Sequence, residues 1–166
     1  MSETETTQEP ETTPATEATP GATAPAEALP HGTVLHRFDS GRICCEMPYE
    51  HGVLQGEGRM YYTTGSLYAV EHYARNVLNG LTTLHYPDGV LQAELEYVDG
   101  LLEGTVKEYF PTGRLESVSA YRKGKKNGAS LVHDETGTIV TRENYLDDVL
   151  TAAEPASETS TGTETP

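Results

Sequence analysis

A spacing of 24 residues runs through the chain from Gly32 to about Leu150, and no other feature narrows the possible folds so far. Glycine recurs at Gly32, Gly56, Gly80, Gly104 and Gly128, and again at Gly41, Gly65, Gly89, Gly113 and Gly137. Tyrosine recurs at Tyr49, Tyr73, Tyr97, Tyr121 and Tyr145. Three ladders that keep phase over five copies define a repeat array, in which each unit depends on its neighbours for burial. The units run 32–55, 56–79, 80–103, 104–127 and 128–151.

Each unit carries two turn signals. The first set reads FDSGR, YTTGS, YPDGV, FPTGR and DETGT, and the second YEHGV, YARNV, YVDGL, YRKGK and YLDDV. Gly, Asn and Asp at these places tolerate the positive backbone angles that tight turns require. Two turns per unit leave two strands of about six residues, so each copy is expected to be a β-hairpin. The glycine ladders are accordingly assigned to turns. The expected fold class is all-β, an elongated twisted antiparallel meander.

Side-chain alternation sets a register, because a slip of one residue exchanges the two faces of a strand. With Tyr86 opposite Leu91, one face of the third copy carries Leu78, Thr82, Leu84, Ala93, Leu95 and Tyr97, and the other carries Leu81, Thr83, His85, Gln92, Glu94 and Glu96. Stacked copies align an aromatic column, Phe38, Tyr62, Tyr86 and Phe110, beside an aliphatic one, Ile43, Leu67, Leu91, Leu115 and Ile139. Asp134 breaks the aromatic column, as suits a polar capping copy. Pro48 suits a bulge or a frayed edge, which leaves the first copy only partly regular. One apolar face needs cover, and curling, a second copy or a partner would each supply it.

The net charge of -15 belongs largely to the ends. Residues 1–31 and 152–166, read as disordered Thr/Pro/Ala/Glu-rich tails, hold nine acids and no Lys or Arg, leaving 17 acids against 11 bases in the array. Acidic tails argue against nucleic acid and anionic membranes as general partners, and offer a mask for a basic patch. The sequence shows neither an apolar stretch long enough for a membrane helix nor a signal-peptide pattern, which places the expectation in the cytoplasm. Cys44 and Cys45 are expected to stay thiols, Cys45 facing inward and Cys44 outward.

The six histidines occupy different repeat positions with no metal-binding spacing, and the sequence has no phosphate loop, no nucleophile elbow and no enclosed carboxylate pair. The expectation is a chain that is not an enzyme and takes no cofactor. Two surface features remain. Arg37, Tyr61, His85, Tyr109 and His133 form an outward column of residue types enriched at interfaces, a candidate partner-binding row. Arg122, Lys123, Lys125 and Lys126, with Arg114 and Lys107 one hairpin earlier, form a candidate anion-binding cluster for an acidic protein surface, a phosphoinositide headgroup or the tails themselves.

The segments YEHGVLQG, YVDGLLEG and YRKGKKNG, with the aromatic-x-x-G turns, resemble the variant class of the MORN repeat (membrane occupation and recognition nexus), like that of bacterial proteins labelled YwqK-like antitoxins. The resemblance implies twisted antiparallel sheets built from successive hairpins. For function it implies scaffolds, lipid binders and antitoxins. The expected role is a non-catalytic scaffold for protein partners or self-association, with a toxin-neutralising protein and a peripheral lipid binder as the alternatives.

Overall fold

The computed structural model describes residues 29–155, so the expected tails at 1–28 and 156–166 lie outside the described residues. The elements are strands alone: β1 (Gly32–Arg37), β2 (Ile43–Glu50), β3 (Val53–Leu54), β4 (Gly56–Tyr61), β5 (Leu67–Ala74), β6 (Val77–Leu78), β7 (Gly80–His85), β8 (Leu91–Val98), β9 (Leu101–Leu102), β10 (Gly104–Tyr109), β11 (Leu115–Arg122), β12 (Lys125–His133), β13 (Ile139–Leu146) and β14 (Val149–Pro155). They form one antiparallel sheet in chain order, with β3, β6 and β9 as short ribbons on β2, β5 and β8. The all-β hairpin array is as the 24-residue period predicts.

One register recurs in every hairpin: Gly32 faces Tyr49, Gly56 faces Tyr73, Gly80 faces Tyr97, Gly104 faces Tyr121 and Gly128 faces Tyr145. The second turns hold two consecutive residues at positive φ, for example Asp99 at 49° and Gly100 at 80°. That is the type I′ geometry whose twist matches the strands it joins. At the first turn of the third copy the Gly89 amide donates to the Tyr86 carbonyl at 2.8 Å, and the Tyr86 amide to Val90 at 2.8 Å. This closes a tight turn with glycine in its left-handed position.

Two expectations change here. Leu91 lies opposite His85, not Tyr86, because the glycine turn adds a residue and shifts the register between Leu84 and His85. The first glycine ladder does not sit in turns. Between the Tyr73–Leu78 and Val70–Thr83 pairs the second strand carries two extra residues, and since the Asn79 amide still donates to the His72 carbonyl at 2.8 Å, Gly80 lies in the bulge that follows. Its φ is +123°, and a Cβ there would stand 3.1 Å from the Cβ of His72. Only glycine meets both conditions without strain.

The end of the array departs from this pattern. Tyr145 faces Leu150 and Asn144 faces Ala152, so the final junction contains one extra residue, Thr151, instead of two. The glycine of the interior junctions is replaced by Ala152. The resulting slip places Arg142 opposite Glu154. The strand also runs on to Pro155, beyond the boundary expected at 151. At the other end the Gly52 amide donates to the Pro30 carbonyl at 2.8 Å, so residues 29 and 30 join the array ahead of the expected start at 32. Pro48 lies opposite Thr33 within a regular first hairpin, and its carbonyl accepts from the Gln55 amide at the bulge.

The core is a strip of small side chains on the inward face. Ala69 is 0% exposed, and Ala93, Val106, Thr82, Ser117, Ser119 and Ser130 are buried with it. Half-buried Tyr73, Tyr97 and Tyr121 flank the strip, and burial raises the pKa of each hydroxyl. Among the described residues no large side chain is fully buried. A single sheet thus shields its small residues with its own bulky neighbours and leaves the bulky ones partly in water. The hairpins are also tied to one another: the Tyr62 hydroxyl donates to the His85 carbonyl and the Tyr86 hydroxyl to the Tyr109 carbonyl, both at 2.8 Å. In the last copy Asp134 instead accepts from Thr136 and Thr138 of its own turn, bonds that lower its pKa.

Candidate interaction surface

The proposed outward column lies at the ends of β1, β4, β7, β10 and β12, where each hairpin changes register. Arg37 is exposed and donates to the Gly41 carbonyl at 2.9 Å, whereas Tyr61, His85, Tyr109 and His133 are half-buried. The Nδ1 atoms of His85 and His133 are buried and have no hydrogen-bond partner among the described residues. Four of its five members are therefore less open than expected.

Polar neighbours organise the column in alternate copies. Lys107 Nζ donates to Glu94 Oε2 at 2.8 Å, and the Tyr109 hydroxyl donates to the same oxygen at 3.0 Å. The bond from Lys107, opposed by desolvation and helped by Tyr109, holds the Glu94 carboxyl below its ordinary pKa. Burial, then the bond to Glu94, raises the Tyr109 hydroxyl. The equivalents two copies earlier are Glu46, Arg59 and Tyr61, with Glu46 opposite Arg59 in the sheet. There Arg59 turns to Glu57 instead, at 2.7 Å.

In the intervening copies these positions hold Val70, Thr83 and His85, then Val118, Leu131 and His133. The outward face thus repeats every 48 residues, twice the structural period. Other contacts follow the same rhythm. Asn79 donates to Asp99 at 3.1 Å and Asn127 to Asp147 at 3.2 Å. In the alternate copies Gln55 accepts from the Arg75 amide and Glu103 from the Lys123 amide. Sequence reasoning missed this longer period, although the Tyr, His, Tyr, His order of the column carried its signal.

The basic cluster sits on the turn that joins β11 to β12. Arg122, Lys123 and Lys125 are exposed, and none of them makes an ion pair among the described residues. Arg122 and Lys125 lie directly opposite each other, a like-charge pairing that disfavours the strand ends without a partner. Lys126 is half-buried, with Nζ 5.1 Å from the centre of the Tyr145 ring. Its amide donates to Asp148 at 2.7 Å. Lys107 and Arg114 do not join the cluster. Lys107 is engaged by Glu94, and Arg114 reaches Glu135 at the opposite, first-turn edge.

Exposed apolar side chains line the same second-turn edge. Val77 and Leu101 follow their turns, Val98 precedes one, and beyond the basic residues come Leu146 and Val149. Val98 lies opposite Leu101, and Leu146 opposite Val149. Each of these five is at least 40% exposed, so the edge presents an apolar row with a positive centre.

The family model of the MORN repeat variant matches three consecutive stretches, residues 54–74, 78–99 and 102–123. No curated protein matches the chain. Among solved structures 22 chains match, one of them described as a crystal structure of a GtfA/B complex bound to UDP and GlcNAc. That likeness has 14% identity and a TM-score of 0.27, and covers 71% of this chain and 24% of that one. This chain therefore spans about a quarter of the length of that structure's chain.

Proposed function

We propose that this chain, which carries MORN repeat variants across 54–123, is a non-catalytic scaffold whose second-turn edge binds an acidic protein surface. MORN repeats are generally associated with protein–protein or membrane-lipid interactions. The observation that carries the reading is the row Val77, Val98, Leu101, Leu146 and Val149 around Arg122, Lys123 and Lys125. Apolar contacts would supply affinity and the positive centre orientation and encounter rate. A partner carboxylate opposite Arg122 and Lys125 would also relieve their mutual repulsion.

The Glu94–Lys107–Tyr109 and Glu46–Arg59–Tyr61 groups serve a different purpose in this reading. Lys107 is met by Glu94 and Arg59 by Glu57 within the sheet, so these cations hold the outward face in shape and leave the edge for binding. Self-association uses the same row, with a second copy in place of the partner. The lipid reading rests on the same edge, since basic residues among exposed apolar ones also suit an anionic bilayer surface.

One experiment separates these readings. Tagged wild-type chain and a Val98→Ser/Leu101→Ser/Lys123→Glu/Lys125→Glu variant are compared by pull-down, light scattering and flotation with phosphatidylserine vesicles. The expected result is a protein captured by the wild type and lost with the variant, with both chains equally folded by circular dichroism. Capture that survives all four changes rejects the edge. Flotation without protein capture selects the lipid reading, and a wild-type dimer broken by the variant selects self-association.

A further inference from the structure

The register shift at the first turn of the array gathers two thiols. His36 lies opposite Cys45 and Arg37 opposite Ile43, so Cys44 is the extra residue of a bulge. In an unbulged strand, neighbouring side chains leave opposite faces of the sheet. Here the Sγ atoms of Cys44 and Cys45 are 3.9 Å apart, and both residues are half-buried. The bulge interrupts the alternation on which the expectation of one thiol inward and one outward rested, and it leaves the two sulfurs close to each other. The other copies hold Tyr68–Ala69, Gln92–Ala93, Glu116–Ser117 and Val140–Thr141 at these positions, so the array needs no thiol here for its fold.

We propose that Cys44 and Cys45 form a reversible dithiol–disulfide site that exchanges with low-molecular-weight disulfides. This goes beyond the scaffold reading and stands independently of it. Burial, with the neighbouring thiol adding to it, pushes the Cys45 thiol up to about 11, so Cys44 attacks first. Its thiolate displaces one RS⁻ from RS–SR and leaves a mixed disulfide. The Cys45 thiol then gives its proton to solvent, and its sulfur attacks the Cys44 sulfur, expelling the second RS⁻. Two protein thiols are oxidised to one disulfide, and RS–SR is reduced to two RSH.

Adjacent Cα atoms are ~3.8 Å apart, shorter than the ~4.4–6.8 Å that most disulfides span, so the closed ring is strained and readily reduced. Labile bonds of this kind suit a signal better than a staple. Closing the ring also pulls Cys45 away from its pairing with His36, and β1 is an edge strand held by β2 alone. Oxidation therefore loosens the first hairpin.

The test treats the reduced full chain with oxidised glutathione at mildly alkaline pH and follows intact mass. The expected product is lighter by two hydrogens, carries no glutathione and is restored by dithiothreitol. Ring closure should be at least ~10-fold faster in the folded chain than in denaturant, since the fold holds the sulfurs in reach. Cys45→Ser should stop at the mixed disulfide, and Cys44→Ser should slow the first step. Amide exchange over Val34–Arg37 should quicken on oxidation. A wild-type chain that remains glutathionylated, forms a disulfide between two copies, or closes equally fast in denaturant overturns the proposal.

Discussion

The junction between the second and third hairpins and the junction that ends the array occupy equivalent places but pair differently. At the first, two extra residues are taken up around Gly80 before β7 pairs with β5. At the second, Thr151 alone is extruded, and β14 lies on β13 one residue out of step. Two local causes act together. Ala152 cannot adopt the glycine conformation cheaply, so the wide bulge is lost. Charge favours the slip, since the interior register would bring Glu154 opposite Glu143, and the observed one brings it opposite Arg142. The number of residues taken up at a junction thus decides whether the next strand presents its core face or its solvent face to the inward side.

Breaking the interior junction should have the largest effect. Gly80→Val puts a β-branched residue at φ +123° with its Cβ against His72, and the chain should lose about 2–4 kcal/mol in urea unfolding. Ala152→Val, at the slipped junction, provides the contrast and should change stability by less than ~1 kcal/mol. Equal losses at the two sites would show that the bulge does not carry the register.

Charge in the interior is a smaller lever, read by pH. The folded pKa of Glu94 is depressed by the Lys107 bond, so this contribution is present above the unfolded carboxylate pKa and lost as pH falls through the folded one. The Lys107 side chain is 45% exposed, so solvent screens the pair and its contribution is small. Glu94→Gln should remove that acid-side loss of stability, and urea midpoints measured from neutral pH down through the carboxylate range check it. An unchanged pH slope in the variant would assign the acid sensitivity to other groups.

The smallest expected effect sharpens the comparison most. Ala152→Gly gives the last junction the residue found in the interior ones, and stability should move by less than ~0.5 kcal/mol. Cross-strand NOEs should then report whether Arg142 stays opposite Glu154 or moves opposite Pro155. A register that stays slipped would mean that the Glu143–Glu154 clash and Pro155 hold it without help from the alanine.

Much of the fold was legible because it rests on local chemistry. Gly89 and Gly100 mark turns in which a positive φ is needed, and the alternation through Thr82, Leu84, Ala93 and Leu95 marks a common face. Less of the surface was legible. The Tyr61, His85 and Tyr109 row was found, but its burial depends on a register shift that no periodicity announces. Lys107 and Arg114 are near the lysine cluster in the repeat pattern, but their partners hold them elsewhere on the sheet.

By itself the 24-residue period determined the strand type, the hairpin as the unit, the face shared by the small core residues and the positions of both turn sets. These follow from steric preferences that act within a few residues of one another. The tertiary structure alone decided that the first glycine ladder makes bulges, that Cys44 and Cys45 meet, and that β14 slips. Each of these depends on which residue lies across the sheet, at His72, His36 or Arg142, and cross-strand distance is a property of the paired strands rather than of either strand alone.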